Sequence, residues 1–361
     1  MNCCEKCFTD VELRNRISVL NKKGNCDYCG AEDVNIYDVE LDEQNMAEDF
    51  LELLDIYKHS SLLESKYPDE KLVSIPAELS STWKIFSSEI VAEKIIKDLC
   101  QSFYDEFPEV IDEMSGIPEL CDETYLNDYA VLKIFSWSDF TKSIKENNRF
   151  HTNHINESIL EIFCSERKIY KADEFLYRAR ISNHEMLTEK QMGAPKPRQA
   201  TSGRANPEGI SCLYLTSDVD TALNEVRAGV HDIVYVGKFI AKKDIEVVDL
   251  KNIDRLSPFG NIDKTLHAVN RKSLARIANE IARPLRRNDS PLDYLPTQYI
   301  SDFIKSKGHS GIEYKSTMSS DGYNVAVFDE SDYECIGVVA YEIKSLEYAY
   351  EELTDDTQLR D

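Results

Sequence analysis

Four cysteines near the start of the chain have the spacing of a metal site. They form two Cys-x₂-Cys pairs, Cys4 with Cys7 and Cys26 with Cys29, with 18 residues between the pairs. Two thiolates at this spacing can turn toward one ion, and a second pair completes the tetrahedron that structural Zn²⁺ prefers. A redox dithiol and an iron–sulfur cluster are alternatives, but nothing nearby favours either. Spacing alone leaves open whether Cys3 replaces Cys4. Four thiolates leave no coordination position for substrate, so the predicted zinc is structural.

A second set of chemically capable residues lies in the C-terminal half. Arg204 stands in the run Gly-Arg-Ala-Asn-Pro-Glu-Gly at 203–209, Tyr214 follows in an apolar run, and Glu225 lies in a helical pattern. Taken singly, each has an ordinary interpretation: an exposed loop charge, a core ring and a solvated helix position. A lone Gly-Arg-x-Asn is therefore a weak signal.

The sequence around these residues resembles the RES domain, a family of NAD⁺-consuming toxins and related enzymes. The family has an arginine in a Gly-Arg-x-Asn-x-x-Gly loop, a tyrosine in the next strand and a glutamate on the following helix, and 203–225 matches it. Upstream, 177–180 matches the opening strand. Downstream, 311–316, which ends on the family's serine, and 322–328 match the closing strands. The resemblance covers about 165–345 in the right order.

One position departs from the family pattern. Shorter members often carry an aromatic residue where this chain has Ala205, which leaves open how the ring of the ligand is stacked. The N-terminal half resembles the helical extension, of the HEPN/RES N-terminal domain type, that is fused to some longer RES proteins.

The resemblance implies an ADP-ribosyltransferase-like fold and cleavage of NAD⁺, as a consumed substrate, at its nicotinamide–ribose bond. That bond breaks through an oxocarbenium-like centre, which a neighbouring carboxylate stabilises. Glu225 is the candidate, and it can also orient or deprotonate the nucleophile. Arg204 and Arg178 are candidates to bind the pyrophosphate through paired charge-assisted hydrogen bonds. Tyr214 offers a stacking face and a hydroxyl, and Ser316 a donor to ribose or phosphate; a merely structural role is the alternative for both.

Four further residues complete the predicted substrate site. Arg180 lies two residues from Arg178 on a predicted strand, so it points the same way and either shares the ligand or forms an ion pair. Gly203 belongs to the arginine's turn, while Asn206 and Asn324 are expected to shape loops and to contact the ligand. No catalytic histidine is required, because nicotinamide is already a good leaving group.

The predicted function is an NAD⁺ glycohydrolase or phosphorylase that arrests growth, as the toxin of a toxin–antitoxin pair or in antiviral defence against phage. A protein ADP-ribosyltransferase is the alternative. A zinc-bearing interaction module with an inactive catalytic remnant is the second, although Arg204, Tyr214 and Glu225 are all retained. The expected partners are NAD⁺ and an antitoxin or regulatory protein. The nucleophile, the trigger, the oligomeric state and the role of the N-terminal region stay open.

Composition limits the other function classes. The 361 residues are 42% hydrophobic and 30% charged, as in an ordinary soluble globular protein. A net charge of −24 argues against non-specific binding of nucleic acid. The sequence shows neither a membrane-length apolar stretch nor the layout of a secretory signal, so we expect a cytoplasmic protein with no membrane partner.

Hydrophobic periodicity predicts the elements that must position these residues. We expect a zinc knuckle at 1–35, a mainly helical region at 36–160, an α+β catalytic domain with a mixed sheet at 161–350 and an acidic tail at 351–361. Helical stripes include Met46, Phe50, Leu53, Leu54 and Tyr57, and then Ile90, Ile95, Ile96 and Leu99. Asp218 or Asp220 is expected to cap a helix near Thr221, and 262–307 to be helical. Predicted strands lie at 175–180, 211–216, 233–240, 245–250, 311–315, 324–328 and 335–343.

Overall fold

The structure, a computed structural model, describes residues 1–283, 290–319, 321–347 and 350. The predicted acidic tail at 351–361 lies outside the described residues. The chain divides into two compact units. The first takes Met1–Ser165 and Asn252–Asn279; the second takes Glu166–Lys251 and the described residues from Glu280 onward. The domain boundaries drawn from the sequence stay a prediction.

The described residues form twelve α-helices and fourteen β-strands. The helices are α1 (Val11–Val19), α2 (Met46–Asp55), α3 (Ile75–Ser81), α4 (Glu89–Leu99), α5 (Gln101–Glu106), α6 (Pro108–Asp112), α7 (Glu123–Tyr129), α8 (Trp137–Lys142), α9 (Glu157–Phe163), α10 (Val219–Glu225), α11 (Lys264–Ala282) and α12 (Leu295–Ser306). The strands are β1 (Asn2–Cys4), β2 (Lys23–Gly24), β3 (Val34–Asp38), β4 (Lys58–His59), β5 (Val73–Ser74), β6 (Met114–Gly116), β7 (Arg167–Tyr170), β8 (Phe175–Ile181), β9 (Leu213–Thr216), β10 (Ile233–Ala241), β11 (Ile245–Asp249), β12 (Gly311–Lys315), β13 (Tyr323–Val327) and β14 (Tyr333–Glu342).

The first unit is mainly helical, with two small sheets in the orders β1-β3-β2 and β4-β6-β5. The apolar face of α2 is buried as its spacing predicts, and a serine side chain, that of Ser88, caps α4 by accepting from the N–H of Val91. The stripe predicted on α4 is wrong at one position. Ile90 is 67% exposed, whereas its neighbour Val91 is buried and occupies the position on the apolar face that was predicted for Ile90.

The second unit is built on one eight-stranded sheet in the order β14-β10-β8-β9-β13-β12-β11-β7. Strands β11 and β12 run parallel, and the other neighbouring pairs run antiparallel. The α+β class with a mixed sheet is thereby confirmed. Among the described residues, no helix combines the length and the apolar character needed to cross a bilayer.

A short strand and the helix after it carry two of the residues singled out from the sequence. Tyr214 lies on β9, and Glu225 is the last residue of α10. Between them, the side chain of Asp218 caps the helix, because it accepts from the backbone N–H of Thr221 at 2.7 Å. This cap fixes where α10 begins and hence where its last residue stands.

Candidate active site

A cavity of about 420 Å³ lies in the second unit, within the size range of small-molecule sites. Six of the residues predicted from the sequence line it: Arg178, Gly203, Arg204, Tyr214, Glu225 and Asn324. The arginine of the loop and the carboxylate at the end of α10 therefore share one pocket. Of the other three, Ser316 contacts Glu225, Asn206 contacts Tyr214, and Arg180 is not among the lining residues.

The carboxylate of Glu225 is held by two neutral donors. The hydroxyl of Ser316 donates to Oε1 at 2.7 Å, and the side-chain amide of Asn324 donates to the same oxygen at 2.8 Å. Both donors are buried, at 7% and 4% exposure. Hydrogen bonds to a charged acceptor are stronger than neutral ones, so this pair fixes the orientation of the carboxylate at the edge of the cavity.

Arg204 is buried but remains charged. Burial on its own lowers the pKa of this guanidinium, but Tyr314, Glu225 and Tyr294 outweigh the burial, and the pKa lies above its ordinary value. The guanidinium also stands over the ring of Tyr314, 5.6 Å from the ring centre. The site therefore presents a permanent cation to whatever enters the cavity.

The loop that carries Arg204 is closed by hydrogen bonds between side chain and backbone. The hydroxyl of Tyr214 donates to Oδ1 of Asn206 at 2.6 Å and accepts from the N–H of Ala205 at 3.0 Å. A Cβ at Gly203 would lie 2.6 Å from both of those oxygens, so only glycine allows this close approach. Tyr214 thus lines the cavity and also holds the loop through its hydroxyl.

The side-chain amide of Asn206 also stabilises the loop. Its Nδ2 donates to the carbonyls of Thr201, Pro207 and Ile210 at 2.9–3.1 Å. The side chain is buried, at 4% exposure. Asn206 is thus placed to shape the loop and does not line the cavity.

Arg178 brings a second cation to the cavity. Its Nη1 is buried and has no hydrogen-bond partner among the described residues. Burial, followed by the neighbouring charge of Arg180, lowers the pKa of Arg178 to about 10, so the guanidinium is still charged at neutral pH. An unpaired buried charge is costly, which points to an anion as its partner. Arg180 instead donates to the carbonyl of Gln191.

Four polar or aromatic lining residues were missed by reasoning from the sequence: Thr216, Arg227, Tyr294 and Tyr314. Two of them had a usable signal. Tyr314 lies in the matched run 311–316, and Thr216 ends the strand that carries Tyr214. Arg227 has a φ of 51°, a conformation that is uncommon outside glycine, and no pattern indicates it.

The first unit holds the predicted cysteine cluster. The sulfurs of Cys4, Cys7, Cys26 and Cys29 all lie within 4.8 Å of one another. Three of the separations are 3.4, 3.5 and 3.9 Å. Tetrahedral zinc with bonds of about 2.3 Å places its sulfurs about 3.8 Å apart, so the donor set fits this ion. Cys4, and not Cys3, joins the other three.

The chain can now be compared with known proteins. The family model described as "RES domain" matches residues 175–351, and this part of the chain is a RES domain. A solved structure of the M. tuberculosis MbcT–MbcA toxin–antitoxin complex contains a chain with 12% sequence identity and a TM-score of 0.33. That match covers 52% of this chain and 93% of the other. No curated protein matches the chain significantly.

Proposed function

We propose that this cavity binds NAD⁺ and that the protein cleaves its nicotinamide–ribose bond. The observation that supports this most directly is the placement of Glu225 and Arg204 on one cavity. A fixed carboxylate and a buried permanent cation are what a substrate with a developing oxocarbenium carbon and a nearby diphosphate requires. The RES domain carries the same expectation.

In the proposed reaction, Glu225 stabilises positive charge as the bond from ribose C1′ to the nicotinamide nitrogen breaks. The bonding electron pair goes to the pyridinium nitrogen, and neutral nicotinamide leaves without a general acid. A water molecule or a phosphate then adds to C1′. In hydrolysis, Glu225 accepts the proton that the water loses and passes it to solvent. The products are ADP-ribose, nicotinamide and one proton.

The two arginines are proposed to bind the diphosphate. Arg204 is oriented by its loop and by the ring of Tyr314, while the guanidinium of Arg178 has an Nη1 without a partner among the described residues. Binding an anion there satisfies a group that is otherwise buried at a cost. Ser316 and Asn324 act through Glu225 as positioning residues.

The proposal is tested by incubating purified protein with NAD⁺ and following the release of nicotinamide. Glu225→Gln and Arg204→Ala should each lower turnover by roughly a hundredfold or more, whereas Glu208→Gln, which removes an exposed charge of the same loop, should leave it unchanged. Labelled NAD⁺ separates the nucleophiles: water gives ADP-ribose, phosphate gives ADP-ribose 1″-phosphate, and a protein acceptor becomes labelled. A wild-type protein that releases no nicotinamide would contradict the proposal.

We further propose that NAD⁺ loss in the cytoplasm arrests growth, and that an antitoxin or regulatory protein restrains the enzyme, in a toxin–antitoxin pair or in antiviral defence. Expression in a bacterial host should lower cellular NAD⁺ and stop growth. The Glu225→Gln variant, expressed to the same level, should do neither. Growth arrest with an undiminished NAD⁺ pool would separate toxicity from this chemistry.

The cysteine cluster is proposed to bind one structural zinc ion. The four thiolates would complete its coordination shell, and bound zinc would contribute to folding of the first unit. Metal analysis of the purified protein should find one zinc per chain. Cys26→Ser should lose it, and Cys164→Ser, a buried cysteine outside the cluster, should retain it. A protein that is folded and metal-free would overturn the assignment.

A further inference from the structure

Two neighbouring residues of α12, Thr297 and Gln298, contact the loop 201–212, which carries Arg204. They lie more than ninety positions further along the sequence. Within the loop, the side-chain amide of Asn206 supplies only part of the hydrogen bonds. The side-chain amide of Gln298 donates to the carbonyls of Gly203 at 2.8 Å and of Asn206 at 3.0 Å, and to the hydroxyl of Ser202 at 2.8 Å.

The hydroxyl of Thr297 supplies the remaining contact. It donates to the carbonyl of Arg204 itself at 2.8 Å, and also lies 3.0 Å from the carbonyl of Tyr294 in its own chain segment. Thr297 and Gln298 are both buried, at 5% exposure each. The carbonyls of residues 203, 204 and 206 thus each accept a hydrogen bond from a side chain of α12.

These contacts matter because the loop has no regular secondary structure to fix it. Residues 201–212 lie outside helices and strands, so they lack a regular ladder of backbone hydrogen bonds, and side chains supply partners for several of their carbonyls. The position of the Arg204 side chain therefore depends on how firmly the neighbouring backbone carbonyls are held. Displacing a binding group by about 1 Å is enough to weaken a site strongly.

We infer that Thr297 and Gln298 are positioning residues that set the place of Arg204 at the cavity. The inference deepens the proposed function and rests on it for its kinetic test. Neither side chain is among the residues that line the cavity, so both act through the loop and not through contact with the substrate.

The kinetic test compares four variants. Gln298→Glu keeps the size but loses the donor, and Thr297→Val loses the hydroxyl; both should raise the KM for NAD⁺ at least tenfold. Thr297→Ser keeps the hydroxyl and should retain the wild-type KM. Ser301→Ala is the matched control, because the fully buried hydroxyl of Ser301 on α12 donates, among the described residues, only to the carbonyl of Thr297 within the helix.

A role in stability alone gives a different result. Partial unfolding lowers the amount of active enzyme and hence the apparent kcat, while KM is unchanged. Wild-type KM in Gln298→Glu or Thr297→Val would therefore overturn the inference, whatever happens to kcat.

A second measurement keeps the inference testable if the protein does not consume NAD⁺. The amide of Gly203 donates to the carbonyl of Asn206 in the loop, and the amide of Ala205 donates to the hydroxyl of Tyr214 on β9. Their hydrogen exchange should quicken at least tenfold in Gln298→Glu and not in Ser301→Ala. Unchanged exchange in Gln298→Glu would refute the positioning role, while failure of wild-type turnover with faster exchange in the variant would refute the proposed function only.

Discussion

Ser316 and Glu225 offer a quantitative test of how the candidate site works. The Ser316 hydroxyl donates to Oε1 of the carboxylate at 2.7 Å, and Asn324 donates to the same oxygen at 2.8 Å. A hydrogen bond to a charged group contributes roughly 1.5–3 kcal/mol. Because Asn324 remains in place, we expect Ser316→Ala to cost about 1.5 kcal/mol of transition-state stabilisation, or roughly tenfold in kcat.

Removing the charge of Glu225 should cost more transition-state stabilisation than removing the Ser316 hydroxyl. Loss of one preorganised electrostatic group typically costs about 2.7–4 kcal/mol, so Glu225→Gln should lower kcat by roughly 10²- to 10³-fold. If Ser316 acts only through Glu225, then Ser316→Ala has no further effect in the Glu225→Gln background. The coupling energy of the double-mutant cycle then equals the effect of the single Ser316 substitution.

The assay is nicotinamide release at saturating NAD⁺, measured for the wild type, both single variants and the double variant. Ser301→Ala is the control, because it removes a buried hydroxyl of the same unit that donates to a backbone carbonyl. A full tenfold loss from Ser316→Ala in the Glu225→Gln background would refute the reasoning, since Ser316 would then contact the substrate directly.

Three more predictions concern burial, space and charge. Arg178→Met should raise the melting temperature, because it removes a buried guanidinium whose Nη1 has no hydrogen bond among the described residues, and should raise the KM for NAD⁺ roughly 30-fold, or about 2 kcal/mol. Gly203→Ala should destabilise the fold by about 1–3 kcal/mol and lower kcat/KM, while Gly337→Ala, where a Cβ meets nothing within 4 Å, should change neither. Burial, with smaller contributions from Arg271 and Lys264, lowers the pKa of His267 from 6.5 to about 3. The unfolded chain therefore binds the extra proton first, and stability that is present above pH 6.5 should fall by roughly 4 kcal/mol toward pH 3. Urea unfolding of the wild type and His267→Gln at several pH values should show this slope in the wild type alone.

The sequence was informative where neighbours in the chain are also neighbours in space. The strand of Tyr214, the cap at Asp218 and the end of α10 at Glu225 follow one another within twelve residues. Periodicity and capping chemistry are local signals, so the strand and the helix could be predicted from them. The roles of Tyr214 and Glu225 were predicted from the resemblance to the RES domain.

The partners of that segment come from distant parts of the chain and carry no local signal. Nothing in the run around Gln298 predicts that its amide meets the carbonyls of a loop 92 residues earlier. Strand alternation predicts that Arg178 and Arg180 lie on one side of β8, but it does not indicate that Arg180 donates to the carbonyl of Gln191. Such contacts depend on tertiary packing, which single-sequence patterns do not encode.

The segment 252–279 has a consequence for how the protein can be divided into fragments. It belongs to the first unit although the second precedes and follows it, so the polypeptide passes between the units three times. Within the first unit, the ring of Phe259 packs on that of Phe50, with centres 4.9 Å apart. A fragment that starts at residue 166 would carry Phe259 without that neighbour, so we expect a single cut after residue 165 not to release a self-sufficient catalytic fragment.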